Sequence, residues 1–103
     1  MKIELLWFED CPNHHTAEEL LKDVLESRGL DVPIRRIKVP DLETGRRVAF
    51  PGSPTIRVDG VDVEPDFEPP EDHTPRCRLY ATPRGLKGVP EREWLEAAID
   101  AAV

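Results

Sequence analysis

The sequence predicts one α/β domain over residues 1–103, with a central mixed sheet built as β-α-β, then a β-hairpin, then a C-terminal helix. Three observations carry that class. A short apolar run (Ile3, Leu5, Leu6, Trp7, Phe8) precedes an amphipathic helical segment and a second apolar run at 32–39; in one sheet that order implies a right-handed parallel crossover. Asp59-Gly60 separates Thr55-Ile56-Arg57-Val58 from Val61-Asp62-Val63, the spacing of a two-residue hairpin whose type I′ turn needs positive φ at both central positions. A final segment from Pro90 puts Trp94, Leu95, Ala98, Ile99 and Ala102 on one helical face, with Glu91 and Glu93 suited to its N-terminal dipole.

Taken in order, residues 2–8 suit a buried central strand because the run is too short for a buried helix. The next segment places Ala17, Leu20, Leu21, Val24 and Leu25 on one face, turns Glu18, Glu19, Lys22, Asp23 and Glu26 outward, and stops at Gly29. Two starts fit it. Thr16-Ala17-Glu18-Glu19 is a capping box, whereas Pro12 suits the first helical position with Cys11 as the cap. Only the second start brings the Cys11 sulfur near the free N–H groups of the first turn. In 32–39, Val32 and Ile34 alternate and then Ile37 and Val39 take the opposite parity, which predicts a bulge or twist at Arg35-Arg36. Residues 41–49 hold at most a helical turn, weakened by Gly45, and Phe50-Pro51-Gly52-Ser53-Pro54-Thr55 is a turn cluster.

Beyond the hairpin, Ile56 and Val58 are expected on the same face as Val61 and Val63. Residues 64–76 are acidic and proline-rich, with Phe67 the one large apolar side chain. They predict a long loop insertion of the kind that serves as a lid, a binding loop or a disordered insertion. Cys77-Arg78-Leu79-Tyr80 then returns as a short strand, and Gly85 and Gly88 punctuate another loop. There is no internal repeat.

A net charge of −7 speaks against nucleic acid as a partner, since phosphate affinity comes from clustered Lys and Arg. The N-terminal residues carry Glu4 early and show neither a signal-peptide pattern nor a membrane span, so the expected setting is cytoplasmic, without a membrane partner and with thiols reduced. Two cysteines, Cys11 and Cys77, are too few for a disulfide scaffold or a closed four-cysteine zinc site.

The residues that carry chemistry begin with Cys11. A thiol at a strand-to-helix junction feels the positive end of the helix dipole, which lowers its pKa, while Glu9 and Asp10 oppose a thiolate there. On the early-starting helix His14 lies one turn on and is the candidate stabiliser of the sulfur; the adjacent His15 points elsewhere. Cys77 reads first as a core or loop-anchoring cysteine and second as a resolving thiol carried to Cys11 by the proline-rich loop.

The order β-Cys-helix-β, then Ser-Pro-Thr, a hairpin and a closing helix resembles the thioredoxin fold over nearly the whole chain. Trp7-Phe8-Glu9-Asp10-Cys11 is similar to that family's Trp-x-x-Trp-Cys run, with Asp10 in place of the second Trp, and Gly52-Ser53-Pro54-Thr55-Ile56 resembles its cis-proline segment. The resemblance implies that Pro54 is cis and sits against Cys11 as the substrate-side platform. Cys11-Pro12-Asn13-His14 departs from Cys-x-x-Cys, with histidine where the resolving cysteine stands. In this the chain is similar to small bacterial thioredoxin-like proteins with a single cysteine or selenocysteine in the motif. The implied activity is monothiol thiol–disulfide exchange on a small thiol or a protein, without a cofactor. Cys11 is the nucleophile and His14 its stabiliser; glutathione, another small thiol or Cys77 resolves the mixed disulfide. A different class competes: a non-enzymatic thioredoxin-like binding module, holding a soft metal such as Zn(II), Cu(I) or Hg(II) through Cys11, His14 and Cys77.

Overall fold

The computed structural model describes residues 1–103. Four strands, β1 (Ile3–Trp7), β2 (Ile34–Lys38), β3 (Thr55–Val58) and β4 (Val61–Asp62), form a mixed sheet in the order β2-β1-β3-β4. The central β1 runs parallel to β2, from Ile3 opposite Ile34 to Trp7 opposite Lys38, and antiparallel to β3, from Ile3 opposite Val58 to Leu6 opposite Thr55. Three helices pack on it: α1 (Asn13–Ser27), α2 (Leu42–Val48) and α3 (Arg92–Ala102).

Both faces of β1 are covered, which is why its sequence is apolar at successive positions rather than alternating. Ile3 and Leu5 join Ala17, Leu21, Val24 and Leu25 of α1 and Leu95 and Ile99 of α3 in the larger core. Leu6 faces the other way and packs with Val39 and Phe50, flanked by Phe8, Ile37 and Val48. Each such fully buried aliphatic side chain contributes roughly 1.5–3 kcal/mol of transfer free energy.

The same layering explains the parity change in β2. Ile34 packs against the larger core and Ile37 against the smaller one. The bulge expected at Arg35-Arg36 is absent, since the register is continuous along all five pairs. In the hairpin Asp59 and Gly60 have φ of 51° and 82°, as a type I′ turn requires. Val58 pairs with Val61, yet Val61 is 68% exposed and does not join Ile56 and Val58 in the core as expected, while Val63 does.

α1 takes the early start, one residue late: Asn13 is its first residue, Pro12 occupies the cap position, and no side chain caps the first turn. Thr16 is therefore inside the helix. α2 exceeds the single turn expected of it. Asp41 Oδ1 accepts from the Thr44 N–H at 2.8 Å, and Ala49, at φ 52°, closes the other end. Between β4 and the next strand, residues 63–79 carry no helix or strand beyond an isolated parallel bridge between Ser53 and Cys77. A separate two-stranded hairpin, β5 (Tyr80–Thr82) with β6 (Gly85–Lys87), replaces the loop expected around Gly85. No helix is long and apolar enough to cross a membrane.

Candidate functional site

After β1 the chain turns sharply, the Cys11 N–H donating to the Phe8 carbonyl at 3.1 Å, and enters α1 two residues later. Cys11 is thereby carried to the helix mouth and is fully buried. Its sulfur is bonded to that of Cys77, with 5.5 Å between the two Cα atoms, and no cysteine is free. Cys77 is exposed rather than placed in the core as its first reading allowed, and the pairing with Cys11 that was the second reading is what the structure holds. The acidic, proline-rich segment ends by delivering that residue to Cys11, so the second sulfur comes from 66 positions along the chain and not from the helix.

The turn at 52–54 forms the third side. The Ser53–Pro54 peptide bond is cis. The Ser53 N–H donates to Arg76 O at 2.7 Å and the Arg78 N–H donates to Ser53 O at 2.8 Å, so the backbone on both sides of Cys77 is pinned to one residue. Ser53 O also lies 3.5 Å from Cys11 Sγ. Gly52, at φ 124°, is required here because a Cβ would lie 2.8 Å from that of Arg78. Ser53 Oγ is buried without a hydrogen-bond partner.

A buried arginine holds the Cys77 segment from behind. Arg78 is 6% exposed. Its Nη1 donates to Thr55 Oγ1 at 2.9 Å and to Asp62 Oδ2 at 2.7 Å, and its Nη2 donates to Asp62 Oδ1 at 3.0 Å and Glu64 Oε1 at 2.9 Å. The rings of Phe67 and Tyr80 lie 4.9 Å and 4.2 Å from the guanidinium. Burial acts to lower the Arg78 pKa, but its bonds to Asp62 and Glu64 outweigh it and keep the group charged. Tyr80, pushed well above the ordinary phenol range by burial, donates its OH to the Pro54 carbonyl. Fork, ring and backbone together dock residues 77–80 on the β3–β4 hairpin and on the Ser53–Pro54 turn. Sequence reasoning did not single out Arg78, because the acids that hold it, Asp62 and Glu64, lie outside its own short run.

His14 occupies a different place from the one its spacing suggested. Its ring stacks on Trp7 at 4.5 Å and on His15 at 4.0 Å, and no hydrogen bond joins it to either sulfur. Burial, then the neighbouring His15, lowers its pKa against the pull of Glu18, so it brings little positive charge to the site at neutral pH. Glu18 itself is held down to about 2, chiefly by its hydrogen bond from Arg36. Glu9 pairs with Lys38 at 3.1 Å. No group of three or more His, Cys, Asp or Glu side chains is placed to hold a metal ion, so Cys11, His14 and Cys77 form no ligand set.

Cys11 and Cys77 are thus brought together beside the cis Ser53–Pro54 turn, and no hydrogen bond joins His14 to either sulfur. No family model, curated protein or solved structure matches the chain.

Proposed function

We propose that this domain has a thioredoxin-like architecture and performs thiol–disulfide exchange, with Cys11 and Cys77 as its redox couple and the Ser53–Pro54 turn as the platform beside it. The observation that carries this is the convergence of both sulfurs on that turn, at a helix N-terminus that no side chain caps. The order of strands and helices agrees with the architecture. In the reduced state the two thiols would pass two electrons to a partner disulfide and close on each other, or run the reverse with partner thiols. The two-sulfur couple replaces the monothiol cycle, because a resolving cysteine is already within bonding reach.

The competing reading is a structural staple, favoured by the complete burial of Cys11 and by the anchoring of the Cys77 segment. Equilibration of the native protein in glutathione buffers of varied ratio, followed by acid quench, alkylation and mass measurement, separates the two. Exchange predicts that both cysteines titrate together, as a two-electron couple, while circular dichroism stays native. A disulfide that survives excess reduced glutathione until denaturant is added would leave only the staple.

A further inference from the structure

The two sulfurs of the couple are not equivalent. Cys11 has no solvent exposure, whereas Cys77 is an exposed residue. The anchors that set this difference do not depend on the S–S bond. Cys77 is held between the two backbone hydrogen bonds to Ser53, the Arg78 fork and the Tyr80 hydroxyl. Cys11 is held by its turn into α1 and by core packing. The pattern of access therefore persists on reduction. Thiol–disulfide exchange requires the attacking sulfur, the central sulfur and the leaving sulfur to line up, so a partner must reach the sulfur it bonds. The buried one is closed to it.

We propose that Cys77 is the catalytic cysteine that bonds to the partner and that Cys11, at the helix mouth, is the resolving cysteine. This reverses the roles expected from the sequence, and it rests on the exchange reading given above. In the reducing direction the Cys77 thiolate attacks one sulfur of a partner disulfide R–S–S–R′. The Cys77–S–S–R bond forms, the S–S bond of the partner breaks, and R′–S⁻ leaves and takes a proton from water. The Cys11 thiolate then attacks Cys77 Sγ, closes the internal disulfide and expels R–S⁻, which is protonated in turn. Two cysteine thiols are oxidised and one partner disulfide is reduced to two thiols. In the opposite direction a partner thiolate attacks Cys77 Sγ and Cys11 departs as the thiolate. Its position before the uncapped first turn of α1, where free N–H groups favour negative charge, suits a leaving group.

Two measurements decide the order. The first treats the reduced wild-type protein with sub-stoichiometric iodoacetamide, quenches in acid and maps the label by peptide mass spectrometry; Cys77 should carry about tenfold more label than Cys11 or better. Equal labelling, or preference for Cys11, overturns the assignment. The second offers glutathione disulfide to Cys11→Ser and Cys77→Ser variants. Cys11→Ser should accumulate a stable glutathione adduct on Cys77 while Cys77→Ser stays unmodified, and the opposite pattern overturns it. A variant that does not fold leaves the decision to the wild-type labelling. An internal disulfide inert to glutathione in the native protein ends the exchange reading whatever the labelling order. An active couple with Cys11 labelled first ends only the inference.

Discussion

Replacing Arg78 by methionine would keep most of its volume and remove every charge-assisted bond it makes. Asp62, whose side chain is 3% exposed, would be left as a buried carboxylate with no cation, and Glu64 and Thr55 Oγ1 would each lose a donor. Breaking a buried pair by deleting one partner typically destabilises by about 3–5 kcal/mol, far more than the net worth of the intact pair against an apolar substitute. Arg78→Met is therefore expected to lower the unfolding free energy of the oxidised protein by that amount in urea titrations. Arg78→Lys should recover only part of it, because an ammonium cannot make the two-pronged contact. A loss below about 1 kcal/mol for the methionine variant would contradict the role given to the fork. This residue was not legible in the sequence for a physical reason. In Cys77-Arg78-Leu79-Tyr80, hydropathy favours Cys77 and Leu79 as the inward pair, yet Arg78 and Tyr80 are buried and Leu79 is 64% exposed. The local pattern was overruled by acids sixteen and fourteen positions upstream, which no window along the chain brings together. Cys11 and Pro54 were legible because the junction and the turn that place them are local features. For His14, spacing along a helix gives a neighbourhood but does not foretell its packing on the Trp7 ring.

Among the elements, those with a distinct apolar pattern were readable in advance. β1 is a short unbroken apolar run, α1 and α3 repeat at the helical period, and Asp59-Gly60 sits between two short runs, whereas the segment 41–49 has no such pattern. Gly45 made that segment look broken, since glycine in a helix interior is less favourable than alanine by about 1 kcal/mol. The fold supplies the reason for it. A Cβ at position 45 would collide with the carbonyl oxygen of His73, so the missing side chain lets the proline-rich segment cross α2 at close range. His73 Nδ1 lies 3.2 Å from the Phe50 carbonyl and secures that crossing. Gly45→Ala thus sets a helix-propensity gain of about 1 kcal/mol against the displacement of a docked backbone, a distortion of the order of 1–3 kcal/mol. The expected result is net loss of stability, with faster amide exchange across residues 72–76 than in the wild type. Equal or greater stability with unchanged exchange would show that the crossing is looser than its geometry. The short β5 and β6 escaped notice because Tyr80-Ala81-Thr82 and Gly85-Leu86-Lys87 contain too few residues to establish any period.

For the molecule as a whole, the bond between Cys11 and Cys77 is the covalent link between the first β-α unit and the segment that follows the hairpin. The surface ion pairs between α1 and α3, Arg28 with Asp100 and Arg92 with Asp23, join the same halves but are solvated and contribute little. Closing a loop across 66 positions restricts the unfolded chain by roughly 4 kcal/mol in the chain-entropy account, a large share of the about 5–15 kcal/mol that stabilises ordinary domains. Reduction should therefore shift the urea midpoint downward by a corresponding amount while the reduced protein remains folded in water. The same free energy appears on the other side of the thermodynamic cycle. If the disulfide stabilises the fold by about 4 kcal/mol, the fold must favour the disulfide by the same amount, about a thousandfold in the equilibrium constant with glutathione. The measurement is the oxidised-to-reduced ratio in one glutathione buffer with and without denaturing urea, set against the difference between the two urea titrations. A native ratio about a thousandfold above the unfolded one would mean that folding itself tunes the couple. A native ratio no higher than the unfolded one would mean that the packed site opposes the bond by as much as chain entropy favours it, and the anchored geometry of Ser53, Arg78 and Tyr80 would then have to be wrong.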